Sequence, residues 1–125
     1  MKAVLIDSDI LIEVARGRDE DLRARWEKLS EEEAVVACSP VTVAEIWHGA
    51  RPREYPVLEK LFDVIQCIPI DAGIGRRAGD YLRVYAKTHH AELGDPLIAA
   101  TASIHRLTLW TRNRKHYPMK DLTFF

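Results

Sequence analysis

The sequence predicts an α/β fold of three layers, with helices packed on both faces of a central parallel sheet. Two patterns carry that expectation. Apolar runs of strand length at residues 2–6, 34–38, 67–70, 107–111 and 122–125 alternate with longer segments whose apolar residues recur at three-and-four spacing. Strands separated by helices pair in parallel, and a run as continuously apolar as Ala3-Val4-Leu5-Ile6 suits a strand covered on both faces. Size agrees: 125 residues, 47% of them apolar and 30% charged, make one soluble domain with one core. No repeat, linker or low-complexity stretch divides the chain, so the expected domain spans residues 1–125.

Each element has a local reason. The first run ends on Asp7-Ser8-Asp9, short polar residues that can cap a helix. Ile10 to Arg16 continues that helix and Gly17 ends it. Residues 19–30 form an amphipathic helix with Leu22, Trp26 and Leu29 on one stripe. Ser39-Pro40 opens the next helix, with proline in its first position, and that helix runs to about Ala50. Pro52 and Pro56 punctuate the following stretch, after which Val57, Leu58, Leu61, Phe62 and Ile65 take helical spacing. Pro69 makes the 67–70 strand an edge or a strand end. Residues 71–90 form a long helix with Ile74, Ala78, Leu82 and Tyr85 on one stripe, and Gly94-Asp95-Pro96 opens another that reaches His105.

Composition excludes several classes. The apolar runs are too short to cross a bilayer, and the first is interrupted by Asp7 and Asp9 before it reaches the length of a secretory signal. Cys38 and Cys67 lie in short apolar runs without metal-type spacing and read as buried, reduced thiols, which with the missing signal points to the cytoplasm. The net charge of −1 does not announce a nucleic-acid binder, but its distribution is uneven. Residues 96–120 hold no acid and carry Arg106, Arg112, Arg114, Lys115 and Lys120, whereas residues 19–33 hold seven acids. Such a chain can present a local anion-binding face while staying nearly neutral, and an ordinary mixed surface would look the same.

Open parallel sheets place their sites at the carboxyl ends of the strands. Asp7 lies directly after the first strand, Glu45 on the helix after the second, Asp95 at the start of the helix that leads into the 107–111 strand, and Thr111 and Asn113 at the end of that strand. Each has an ordinary structural explanation. Asp7 fits a helix cap, Asp95 before Pro96 fits a cap followed by a first-turn proline, and Thr42-x-x-Glu45 fits a capping box. Three carboxylates at one rim nevertheless repel one another, and a hard divalent cation removes that repulsion while supplying what phosphodiester hydrolysis needs. No nucleophile elbow, P-loop or dinucleotide fingerprint competes with that chemistry, and His89-His90 lacks a second ligand pair at helix spacing.

Four segments carry a resemblance. Val4-Leu-Ile-Asp7-Ser-Asp-Ile-Leu-Ile12, Ser39-Pro-Val-Thr-Val-Ala-Glu45-Ile-Trp-His-Gly49, Gly94-Asp95-Pro-Leu-Ile-Ala-Ala-Thr-Ala102 and Leu109-Trp-Thr111-Arg-Asn113-Arg-Lys-His-Tyr117 resemble, in order, the four motifs of PIN domains, especially the VapC-type toxins of toxin–antitoxin pairs. The resemblance implies an endoribonuclease that uses magnesium or manganese, works as the toxin of such a pair, often forms a homodimer and is blocked by a VapB-like antitoxin. It implies Asp7, Glu45 and Asp95 as catalytic acids, Asp7 and Asp95 as metal ligands, Glu45 as the group that orients or deprotonates water, and Asp9, Thr111 and Asn113 in support. Arg112, Arg114 and Lys115 are candidates for RNA phosphates, followed by Arg16 and Arg18. The fourth motif departs from the family, which often has an acid at the Asn113 or His116 position. That departure puts a second metal ion in doubt and leaves room for a non-catalytic PIN-like binding domain. A haloacid-dehalogenase-like phosphatase is the other alternative: Asp7-Ser8-Asp9 and Ser39 fit its motifs, although Ala99 stands where it needs an acid.

Overall fold

The structure, a computed structural model, describes residues 2–125. In chain order its elements are β1 (Ala3–Ile6), α1 (Ser8–Arg16), α2 (Glu20–Glu31), β2 (Val35–Cys38), α3 (Pro40–Gly49), α4 (Tyr55–Val64), β3 (Gln66–Cys67), α5 (Ala72–His89), α6 (Gly94–His105), β4 (Thr108–Trp110) and β5 (Thr123–Phe124), with single 3-10 turns at Pro52–Glu54 and Arg114–His116. The five strands form one sheet in the order β3-β2-β1-β4-β5, and every neighbouring pair is parallel. The chain steps outward from β1 to β2 and β3, then returns to the other side of β1 for β4 and β5. The crevice at the carboxyl ends of β1 and β4 is therefore a topological switch point, where such sheets open toward ligands.

Two apolar clusters, one per face, make the three layers. Leu5, Ala37 and Leu109 point to the face covered by Ile74, Ala78 and Tyr81 of α5 and by Ile98, Ala99 and Ala102 of α6. Val4, Ile6, Cys38 and Trp110 point to the opposite face, against Ile10, Leu11, Leu22, Leu29, Ile46 and Leu58 of α1 to α4. Successive strand residues alternate between the clusters, as the period of two requires.

Local chemistry sets the boundaries. Asp7 caps α1 by accepting the Ser8 N–H at 2.8 Å, and Gly17 closes that helix at φ 65°, a conformation that costs glycine nothing. Ser39, with Pro40 following, caps α3 by accepting the Val41 N–H at 3.1 Å, so Thr42 and Glu45 form no capping box. α4 starts at Tyr55, two residues before the sequence pattern suggests, because Pro56 occupies its first turn, where a missing N–H leaves no bond unmade. β3 is shorter than expected: Ile68 still donates to the Cys38 carbonyl at 2.9 Å, but Pro69 has no donor to continue the ladder. On α5 the inward stripe passes through Tyr81, with Leu82 only partly covered. Tyr81 is drawn in because its hydroxyl donates to Asp121 at 2.7 Å. Cys38 is buried as expected, but Cys67 is exposed, because it belongs to the edge strand and its flank has no neighbouring strand; both thiols are free. Among the described residues no helix is long and apolar enough to cross a membrane.

Leu5 is fully buried in the central strand between β2 and β4. Leu5→Ala is expected to lower the free energy of unfolding by about 2–5 kcal/mol, read as a reduced midpoint in urea denaturation.

Candidate active site

Asp7 is the inner wall of the switch-point crevice. Its backbone N–H extends the β1–β4 ladder to the Trp110 carbonyl at 2.9 Å, which fixes the residue at the strand end. Its side chain is only 6% exposed and is held from three sides. Oδ1 accepts the Ser8 N–H at 2.8 Å, and Oδ2 accepts the Thr111 hydroxyl at 2.9 Å and the Tyr117 hydroxyl at 3.0 Å. A buried carboxylate needs such donors to offset its lost hydration.

The other acids surround it. Asp95 lies in the first turn of α6, but the helix begins at Gly94 with no side-chain cap, so Asp95 does not play the capping role that Asp-Pro suggests. Its carboxylate meets the site instead: Oδ1 accepts the Tyr117 hydroxyl at 3.4 Å, and Oδ2 is 3.4 Å from His116 Nδ1. Tyr117 thus stands between Asp7 and Asp95, with one proton to share between them. Glu45 reaches across from α3, solvent-accessible, and accepts the Ser8 hydroxyl at 3.1 Å. Asp9 accepts the Ile10 N–H at 2.8 Å through Oδ1, and through Oδ2 the Arg112 N–H at 2.9 Å and the Asn113 side-chain amide at 3.2 Å.

Asp7, Asp9, Glu45, Asp95, Thr111 and Asn113 therefore converge. Asn113 faces Asp9 as a donor, and its own N–H bonds the Thr111 hydroxyl at 3.0 Å, so it braces the site. The basic residues divide. Arg112 is beside the acids but ion-paired with Asp19 at 2.6 Å. Arg114 turns toward the last strand, with its guanidinium 4.9 Å from the centre of the Phe124 ring, and Lys115 is exposed. Sequence reasoning missed Ser8 and Tyr117 as site residues. Ser8 could have been suspected from its place between two motif aspartates; Tyr117 was visible only as the aromatic of the fourth motif.

Electrostatics record the crowding. Burial, then the Asp7 charge, raises the Asp9 carboxyl above its ordinary range against the pull of the Arg112 and Ile10 N–H groups. Burial, then Asp7, raises Asp95 against His116 and the Tyr117 hydroxyl. Glu45 is raised by burial and by the charges of Asp7, Asp95 and Asp9, opposed by the Ser8 hydrogen bond. Burial and the charges of Asp7 and Asp95 push the Tyr117 hydroxyl far above its usual value, which keeps it a donor. Clustered oxygen ligands that resist joint ionisation are the donor chemistry of a hard divalent cation. Among the described residues no three acid, imidazole or thiol groups already surround one point at ligating distance.

A parallel sheet of this order, with an acidic cluster at its switch point, defines a class: the chain belongs to the PIN-domain family, whose sequence model matches residues 4–122. Within that class it is 39% identical over 118 residues to the ribonuclease VapC10 of Mycobacterium tuberculosis, covering 93% of this chain and 86% of the relative, and 31% identical over 116 residues to the ribonuclease VapC19 of the same organism, covering 92% of each. Among solved structures, FitAcB of Neisseria gonorrhoeae superposes with a TM-score of 0.75 at 28% identity, over 98% of this chain and 96% of that one. VapBC2 of Rickettsia felis, bound to a DNA fragment from its promoter, shares the fold with a TM-score of 0.83 at 19% identity, over 98% and 97%. The phosphatase alternative falls with this assignment: Ser39 is buried and spent on the α3 cap, and Ala99 is fully buried in α6.

A carboxyl whose pKa is raised by folding keeps its proton while the unfolded chain has lost it. Stability from that group is thus full below the unfolded pKa and falls as pH rises toward the folded one. Asp95→Asn removes this penalty. In chelator its melting temperature is expected to exceed that of the unaltered protein at neutral pH, with the gap closing as pH drops below the ordinary Asp range, in thermal unfolding followed by circular dichroism. A variant less stable at neutral pH would instead assign Asp95 a structural role.

Proposed function

We propose that the chain is a divalent-metal-dependent endoribonuclease of the VapC type, the toxin of a toxin–antitoxin pair. The observation that carries the reading is the meeting of Asp7, Asp9, Glu45 and Asp95 at one rim, with Asp9, Glu45 and Asp95 raised partly by the charge of the others. Asp7 and Asp95 are the proposed metal ligands and magnesium or manganese the proposed ion. When bound, such an ion offsets negative charge on the phosphoryl group and makes water easier to deprotonate.

The protein groups have separate tasks. Thr111 and Tyr117 hold Asp7 in one orientation. Glu45 is the accessible acid and is oriented by Ser8, so it suits the role of receiving a proton from the attacking water; its raised pKa makes its carboxylate a stronger base. Asp9, braced by Arg112 and Asn113, supports the charge balance of the rim. In-line attack on an RNA phosphodiester then leaves a 5′-phosphate and a 3′-hydroxyl. With Asn113 donating to Asp9 and His116 beside Asp95, the fourth motif adds no further carboxylate, which favours one metal ion. A VapB-like antitoxin is the proposed protein partner, supported by the likeness to FitAcB and to a toxin–antitoxin complex from Klebsiella pneumoniae at 28% identity and TM-score 0.75. A homodimer in the cytoplasm, each chain a single domain over residues 1–125, completes the proposal.

The test is cleavage of structured and unstructured RNA by antitoxin-free protein, with manganese and with chelator. Cleavage is expected with manganese only, and Asp7→Asn or Asp95→Asn is expected to abolish it. Glu45→Gln is expected to slow it by about 100-fold or more. A folded, metal-loaded protein that binds RNA and cuts none would be a non-catalytic PIN-like domain.

A further inference from the structure

Beside the acidic rim, a separate cleft of about 330 Å³ is lined by Arg16, Arg18, Arg51, Arg53 and Glu54. Four arginines line one space. Arg16 leans on Glu54 at 3.7 Å and Arg18 on Glu13 at 3.3 Å, while Arg51 and Arg53 have no ion-pair partner among the described residues. Like charges gathered in one cleft repel, so an anion that enters it is favoured.

The backbone beneath is fixed. Glu54 accepts the Arg51 N–H at 3.0 Å through its side chain, and its own N–H donates to the Arg51 carbonyl at 2.8 Å, which closes the 3-10 turn from both ends. Pro52 sets φ between them. Arg51 and Arg53 are therefore presented from a rigid turn, and less freedom is lost when they are engaged.

The cleft shares one wall with the active site. Arg16 also lines the adjoining cavity of about 300 Å³ formed with Ser8, Asp9, Ile12, Glu45, Ile46 and Gly49. No aromatic or apolar side chain lines the arginine cleft, so it has no aromatic platform of the kind that holds successive bases of a single strand. Its groups match phosphate oxygens, which guanidinium forks bind in bidentate fashion.

We infer that the Arg16, Arg18, Arg51 and Arg53 cleft is a sequence-independent subsite for the phosphodiester backbone of single-stranded RNA, holding the strand beside the bond to be cut. The inference rests on the ribonuclease reading of the acidic rim, because an acidic peptide would satisfy the same arginines; the Arg16 wall that the cleft shares with the Glu45 cavity favours the nucleic acid. Contacts of this kind position the strand and carry no sequence information.

The experiment is binding of a short labelled single-stranded RNA to the full chain in chelator, by fluorescence anisotropy across a salt series, with cleavage in manganese measured in parallel. Each phosphate contact to a single strand contributes about 0.7 to the slope of log affinity against log salt. Arg51→Gln/Arg53→Gln is expected to weaken binding at low salt and reduce that slope by about 1.4. Arg18→Gln, on another wall of the cleft, is expected to reduce it by about 0.7 and gives an independent reading should the double variant fail to fold. Arg76→Gln/Arg83→Gln, which removes two exposed charges from α5, is expected to leave the slope unchanged. The subsite is overturned if the cleft variants keep the original slope while the unaltered protein binds and cuts RNA, if the α5 variant loses as much, or if polyglutamate of matched charge displaces RNA as well as unlabelled RNA does. An unaltered protein that neither binds nor cuts RNA overturns the ribonuclease reading and the subsite together.

Discussion

Asp7 sits 6% exposed at the end of the central strand, surrounded by three further carboxylates, and this buried negative charge organises the rest of the site. Lost hydration is offset by donors from three parts of the chain: the first turn of α1, the residue after β4, and the loop that follows. Ser8 is adjacent in sequence, but Thr111 and Tyr117 are more than one hundred residues away. The β1–β4 pairing brings them close, so sheet register and site geometry are one constraint. A shift of β4 by one residue would move Thr111 off Asp7 and turn Trp110 out of its core face.

The fourth motif is legible in the same terms. Where the family resemblance leads one to expect another acid, this chain has Asn113 and His116. Asn113 donates to Asp9, and His116 faces Asp95. Both residues set a hydrogen-bonding group against a carboxylate in place of a further acid. The rim is thus less repulsive than four acids and a fifth would make it.

Charge is segregated around that rim. Arg112, which the sequence offers as an RNA contact, is paired with Asp19 and gives its backbone N–H to Asp9, so it ties α2 to the site. A second group of arginines, Arg16, Arg18, Arg51 and Arg53, lines a cleft at the end of α1 and the turn before α4. A neutral sequence total conceals this, since net charge sums over faces that a ligand meets one at a time.

The sequence by itself determined the layer order and most element boundaries, because apolar period, capping residues and proline act over a few neighbours and are written locally, and it offered Asp7, Glu45 and Asp95 as candidate site acids. Local patterns misled where two roles share one signature. Asp95 before Pro96 looks like a cap, yet α6 starts at Gly94 and leaves its carboxylate to the site. Cys67 lies in an apolar run, yet an edge strand exposes it. Tertiary structure alone decided that Tyr117 stands between Asp7 and Asp95, that Ser8 orients Glu45, and that Arg51 and Arg53 share a cleft with Arg16 and Arg18. Hydrogen-bond and charge partners act through distance in space, and no sequence interval encodes a distance that only the closed sheet creates.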